Sequence, residues 1–410
     1  MLVAISNTPR PYAWGSRTAL PELLGLEPNG EPQAELWLGA HPGSPSVIID
    51  PTQTGGAATL PRWIAAEPQT TLGPYAHTGR LPFLLKILAA AAPLSLQAHP
   101  TPEQAALGFA RENAAGVPID SAQRNYKDAC AKPELIYALS PTFDALCGFR
   151  PLEQTLALVA TLIEIDALRE YPQPQPLEDL ADMLARPDGL RAAVEFIISR
   201  QTGVATLVSL VTTLAESSAL PALEIVTALA AEYPGDPGIV ISLLVNGVRL
   251  VAGEALYLPA GNIHAYLDGL GVELMNASDN VLRGGFSPKH IDVPELLSVL
   301  DFAPVPVPYI RASTPTAGLE IFEPDDADFT LVRVHGSAIA ASFVITGPAI
   351  AICTSGAVSI TGAEGTATVS RGESIFITPA EGELRFAGGG TMFLATTASP
   401  AASNTAGVHR

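Results

Sequence analysis

Cysteine is scarce in this chain: Cys130, Cys147 and Cys353 are the only three in 410 residues. So few, so scattered, exclude a disulfide framework and a cysteine-rich zinc site, and reduced thiols are expected. Positive charge is also short. Twenty-two Lys and Arg stand against 41 Asp and Glu, a formal balance of −19. That deficit argues against nucleic acid or an anionic membrane as partner, since both need a basic surface. A long membrane-spanning run is missing too. The most apolar window, "LPFLLKILAAAAPLSL", is short, contains two prolines and carries Lys86, so it reads as core. The opening "MLVAISNTPRPYAWGS" lacks a basic stretch followed by an apolar one and a small-residue cleavage site, and a cytoplasmic location is expected. If the substrate is an anion, the overall field opposes it, and a few local cations must hold it.

What is present is a well-packed globular chain, 48% hydrophobic and long enough for two or three domains. Residues 1–150 show short β-like runs, among them "ELWLGAH", "LPFLLKIL", "PLSLQAHP" and "PELIYAL". One helix interrupts them, "TPEQAALGFAREN", with Thr101 as its cap, proline at its first position and Gln104 completing a capping box. Residues 151–235 read as amphipathic helices poor in His, Cys and paired acids. Strand texture returns at "GIVISLLVNGVRLVAGEALYLPAGNIHAYL" and runs to about 310. After a proline-rich connector come short β runs over 311–395, then a tail, 396–410, expected to be flexible. "GEALYLPAG" and "GESIFITPAE" echo one another and suggest two β-barrels of related design. Only the first copy is followed by a histidine, His264.

Three strand-like segments each place two polar side chains one residue apart, hence on one face of the strand: Gln97 with His99, Lys132 with Glu134, and His264 with Tyr266. Together they hold the nitrogen and oxygen donors of a divalent-metal cage. Spacing alone leaves plainer readings open. A single His at a strand end is commonly structural, Lys132 and Glu134 could be a surface ion pair, and glutamine is a weak neutral ligand. The segment "GVELMNASDNVLRGGFSPKHIDVPELL" adds Glu273, Asp279, Arg283 and Lys289 beside glycines and a proline. Such a stretch is either a solvated loop or the lining of a cavity.

These segments, with "YAWGS" and "AELWLGAHP" earlier, resemble in order the signature stretches of the type I mannose-6-phosphate isomerases. The resemblance runs from Tyr12 to about Leu300 and implies a zinc-dependent, mainly β enzyme with an α-helical domain. It implies a catalytic cupin (jelly-roll) domain from 1–150 plus 236–310, the helical domain at 151–235, and a degenerate second cupin-like β domain at 311–395. By position, the family's zinc ligands fall on Gln97, His99, Glu134 and His264, and its catalytic arginine on Arg283. The chain departs from the family pattern in "RNYKDACAKPE", where Ala131 stands in place of a histidine, and in "PAGNIHAYL".

The implied reaction interconverts mannose 6-phosphate and fructose 6-phosphate through an enediol(ate), with one zinc ion acting as Lewis acid. Glu273 is the expected general base, with Asp279 and Lys132 as other candidates. Arg283 and Lys289 are expected at the phosphate or the reacting oxygens, with Lys86 and Ser95 beside them and Tyr266, Trp14 and Glu35 lining the pocket. The expected partner is a small sugar phosphate; no nucleic acid, membrane or obligate protein partner is implied. Two other readings fit a cupin: an iron-dependent oxygenase, disfavoured by the glutamine and the cations, and a non-enzymatic sugar-binding protein.

Overall fold

The computed structural model describes residues 1–398. There are two β units, and a run of helices is inserted within the first, between its paired strands Thr142–Phe149 and Val245–Val251, so the protein is mainly β with a substantial helical part. In the first unit, strand His264–Asn276 serves two layers. Its beginning pairs with Gln97 of Leu96–Ala98 and with Thr142–Phe149, and its later part pairs with Phe83–Ala90 and Glu134–Ala138. The register shifts between Tyr266 and Asp268, and Gly269 follows at φ 130°. A side chain there would be strained and would lie 2.7 Å from the Phe143 ring, so glycine permits the bend that carries one strand from layer to layer.

Phe83–Ala90 is buried along its whole length, which explains its unbroken apolar reading. Phe83, Leu85, Ile87 and Ala89 pack with Phe376 and Phe393 of the second unit, while Leu88 and Ala90 pack with Ile136 and Tyr266 inside the first. Lys86 alternates onto that inner side, the one charge in the strand.

The second unit is a nine-stranded antiparallel sheet that recruits the start of the chain. Leu2–Ser6 pairs with Ser374–Ile377 and with Val47–Ile48, so the first few residues do not all belong to the expected 1–150 unit. Val3 and Ile5 are buried against the second unit's core, and that apolar alternation decides the docking. The echoed segments form matching elements, Ala255–Leu258 and Ser374–Ile377, each entered through a glycine at positive φ, Gly253 and Gly372. The expected tail begins too early. Thr396 and Thr397 complete strand Glu383–Thr397, paired with Phe329–Val344, while residues 399–410 lie outside the described part.

Helices occupy Leu152–Ala167, Gln175–Leu184, Gly189–Ile198, Val204–Glu216 and Pro221–Glu232, as their periodicity predicts. The block also extends past 235, because Gly238–Leu244 is helical where strand was expected. All seven of its residues are buried, so the apolar run carries no period to separate helix from strand. The capping box at Thr101 forms as expected, opening helix Pro102–Ala114. No helix among the described residues is long and apolar enough to cross a membrane.

The helical block backs the strands of the site. Leu96, Ala98, Leu282 and Phe286 share one core with Ile198 and Val240. Tyr233 donates its hydroxyl to the Pro93 carbonyl at 2.7 Å and sets its ring 5.5 Å from that of Phe286. Phe286 holds φ 53°, an unusual conformation for a bulky residue, two residues beyond the Leu282–Arg283–Gly284 stretch. Gly238 makes room for it, since a β-carbon at 238 would stand 2.7 Å from the Phe286 ring. Gly238→Ala is therefore expected to lower the unfolding free energy by ~1–3 kcal/mol, the usual cost of overpacking, as read from the urea midpoint.

Candidate active site

His99 follows strand Leu96–Ala98 directly, and Glu134 and His264 open their strands, so three chain segments deliver three side chains to one point. Each of the three is only 1% exposed, and their donor atoms lie within 4.8 Å of one another. Nε2 of His99 stands 3.3 Å from Glu134 Oε1, and Nε2 of His264 stands 3.3 Å from Glu134 Oε2. Gln97 is directly opposite His264 in the register, with its amide end 3.5 Å from that ring nitrogen. Turning the amide over would present its oxygen instead.

The proton positions follow from the backbone. Nδ1 of His99 donates to the Asn280 carbonyl at 2.7 Å, and Nδ1 of His264 donates to the Asn262 carbonyl at 2.9 Å. A carbonyl can only accept, so both rings carry their proton on Nδ1 and turn an Nε2 lone pair toward a carboxylate. Lone pairs so opposed in a dry site repel unless a cation lies between them. His99 Nε2 is buried without a hydrogen-bond partner. Burial, reinforced by the Lys132 charge, pushes the His99 pKa down to about 4, so the ring is neutral. Burial alone would raise Glu134, but the Lys132 ammonium beside it holds it well below the usual carboxylate range. Neutral imidazoles, an ionised carboxylate and an amide suit a divalent metal such as zinc, with outer hydrogen bonds orienting both rings.

Charged groups surround this centre. Lys132 Nζ is 2.7 Å from Glu134 Oε1, and the pair is buried, not the surface contact that spacing left open. Tyr266 donates to Glu134 Oε2 at 3.4 Å, and its pKa is raised chiefly by burial. Lys86 lies directly across the ladder from Glu273, with Nζ to Oε2 at 2.6 Å, and 3.6 Å from Glu35 Oε1. Burial opposes the Lys86 charge, yet Glu273 and Glu35 raise its pKa overall; burial raises that of Glu273. Trp37 completes the cluster, its indole N–H donating to Glu35 at 2.9 Å and its ring 5.2 Å from the Lys86 ammonium.

Arg283 is opposite Gln97 on the other side of the same strand, so His264, Gln97 and Arg283 form a row across three strands. Neither Arg283 nor Lys289 forms an ion pair among the described residues. Burial lowers both pKa values, and repulsion from Arg283 adds to the effect on Lys289. Ser95 is half-buried two residues before Gln97, and Trp14 is half-buried against the core that contains Tyr266. Asp279 is paired with His41 and also feels the Lys132 and Lys86 charges. Its carboxylate takes His41 at 2.8 Å, and this contact, against the effect of burial, lowers its pKa. Sequence reasoning missed Asn262, Asn280 and Trp37, because a backbone carbonyl leaves no trace in residue type and the indole's partner is known only from the ladder.

Fold and site together define a mainly β protein with a buried centre for a divalent cation. The family model described as phosphomannose isomerase type I, catalytic domain, matches residues 2–152. Mannose-6-phosphate isomerase of Salmonella typhimurium is 36% identical over 391 residues, covering 94% of this chain and 97% of that one. The Escherichia coli enzyme of the same name is 35% identical over the same coverage, and the Bos taurus one 33% identical over 79% of each chain. A solved mannose 6-phosphate isomerase in its zinc-bound holo form superposes with a TM-score of 0.86 at 32% identity, covering 97% of this chain and all of that one. The apo form from Salmonella typhimurium gives 0.85 at 32% identity, over 97% of this chain and 99% of that one. The chain belongs to the mannose-6-phosphate isomerase family.

Proposed function

We propose that the protein interconverts mannose 6-phosphate and fructose 6-phosphate, with one zinc ion held by Gln97, His99, Glu134 and His264. The carrying observation is the convergence of two buried imidazole lone pairs on one ionised carboxylate, in a chain with these relatives. The first β unit is read as a catalytic cupin barrel built from 1–150 and 236–310, and the helices as an insertion at 151–235 continuing to Leu244. The second β unit is a related barrel that the echoed strand segments support. Three free cysteines fit a cytoplasmic setting.

Isomerisation moves a proton from C2 of the aldose to C1 and the hydroxyl proton from O2 to O1 as the carbonyl shifts from C1 to C2, through an enediolate that needs its charge stabilised where it forms. Bound zinc supplies a Lewis acid that polarises a sugar oxygen. Glu273 takes the C2 proton and returns it to C1. Its burial-raised pKa brings the carboxyl nearer to neutrality, as proton shuttling demands, and Lys86 holds it in place. Arg283, lacking an acidic partner and facing the Gln97 side of the centre, steadies the developing oxyanion. Lys289, more exposed, takes the phosphate with its about two negative charges, with Ser95 as hydroxyl donor. Lys132 keeps Glu134 ionised and can hydrogen-bond a sugar oxygen. Trp14, Glu35 and Tyr266 shape the pocket, and Asp279, committed to His41, takes no part.

A coupled assay converting mannose 6-phosphate to fructose 6-phosphate tests this reading, run as purified, after chelation and after zinc is restored. Activity lost on chelation and regained with zinc is expected; no conversion by pure, zinc-loaded protein sinks the reading. Arg283→Ala should lose ~10²-fold or more in kcat, the scale of one lost oxyanion partner, while retaining zinc. A sugar-binding protein would tolerate the change. Oxygen consumption with iron would indicate an oxygenase.

A further inference from the structure

We infer that Asn280 is a positioning residue that ties the Lys132 loop to the metal-facing imidazole of His99. Nothing in the reaction calls for a group there, and its side chain touches no reacting atom, yet it is fully buried and its hydrogen-bonding capacity is used almost completely. Its Oδ1 accepts from the backbone N–H of Lys127 at 2.7 Å and of Asp128 at 3.2 Å. Its Nδ2 donates to the carbonyls of Asp128 at 2.9 Å and Cys130 at 2.8 Å. The same residue's own carbonyl receives Nδ1–H of His99 at 2.7 Å. One residue therefore grips both the turn that leads into Lys132 and the ring that turns its lone pair toward Glu134.

The contact is reciprocal. Asp128 accepts from the Asp279 N–H at 2.9 Å and from the Cys130 N–H at 2.9 Å, and the Ser278 hydroxyl donates to the Cys130 carbonyl at 3.1 Å. Segments 127–130 and 278–280 are thus laced together by side chain to backbone bonds in both directions. Only an amide of this length supplies two acceptor and two donor positions in one plane. Asp would face two carbonyls with a carboxylate, and Gln is a carbon too long. The lacing is also what lets "KDACAKPE", without the family's histidine at 131, deliver Lys132 to within 2.7 Å of Glu134. An outer group that orients a metal ligand is worth ~10–100-fold in metal affinity or activity.

The inference rests on the zinc-isomerase reading, and the test separates the two. Asn280→Ala and Asn280→Asp are compared with wild type and with Val358→Ala, a core truncation in the second β unit, for kcat, KM, zinc affinity by chelator competition, and melting temperature. Expected for both Asn280 variants are a ~10-fold or larger fall in kcat, a change in KM below about threefold, and zinc binding weakened by ~10-fold. Val358→Ala should lose thermal stability and keep kcat. Should Asn280→Ala fail to fold, the Asp variant carries the test through a cycle with Lys132→Ala, in which the Asn280 effect on kcat should largely vanish. Wild-type kcat and zinc affinity in the Asn280 variants, or fully multiplicative effects in the cycle, overturn the inference. A wild-type protein that neither binds zinc nor isomerises overturns the underlying reading instead.

Discussion

Replacing Glu134 by glutamine is expected to leave a folded protein that loses zinc on dialysis and whose turnover falls by well over ~10²-fold, more than an outer-shell change achieves. The reason lies in charge. Glu134 is the single anion between two imidazole nitrogens at 3.3 Å and the Lys132 ammonium at 2.7 Å. Glutamine fills the same space but offers a metal no negative charge, and it leaves Lys132 buried without its counter-ion. Lys132 then acts as a positive group in the site and opposes a cation further. Metal analysis after dialysis, alongside the coupled assay, checks both halves. Retention of stoichiometric zinc by Glu134→Gln would mean that the cation does not sit where the lone pairs converge.

The second large effect is expected from Lys86→Met, which should lower the unfolding free energy by ~3–5 kcal/mol and cut turnover at least ~10²-fold. Lys86 is 6% exposed and lies between Glu273 and Glu35, so its removal leaves two carboxylates facing each other in a dry interior. The protein's escape is to bind a proton at Glu273, whose pKa burial already raises. In the proposed mechanism a neutral Glu273 cannot accept the C2 proton, so stability and activity are expected to fall for one cause. Adding Glu273→Leu should recover most of the stability, because replacing both partners removes the unpaired charge, while activity stays absent. Urea unfolding of the single and double variants measures the first quantity and the coupled assay the second. A single variant as stable as wild type would show that the pair is solvated.

Much of this site was readable from residue order. The pairing of polar side chains at alternate positions of apolar runs marked Gln97, His99, Glu134, His264 and Tyr266, and all five meet. The alternation worked because strands project side chains with a period of two, whatever the partner strand. Reading failed where a residue's role depends on what lies across the fold. Asp279 was a second candidate carboxylate beside Glu273, and its pairing with His41, from a distant segment, left no trace in the local sequence. Spacing left a surface ion pair open for Lys132 and Glu134, and only the strands that close over them show that the pair is buried. Gly238–Leu244 carried strand-like residues and is a helix, since burial on every side erases the pattern that would tell the two apart.

The sequence by itself determined many of the local pieces: most of the strand runs, the helical character of 152–232, and which side chains could hold a metal, because propensity, caps and alternation act over a few residues. The tertiary structure alone decided that Leu2–Ser6 joins the far sheet, that two asparagine carbonyls orient the histidines, and that Lys86 answers to Glu273. Each of those depends on groups far apart in the chain being brought within a few ångströms, and the energy of such contacts comes from exclusion of water, which no short stretch of chain can arrange for itself.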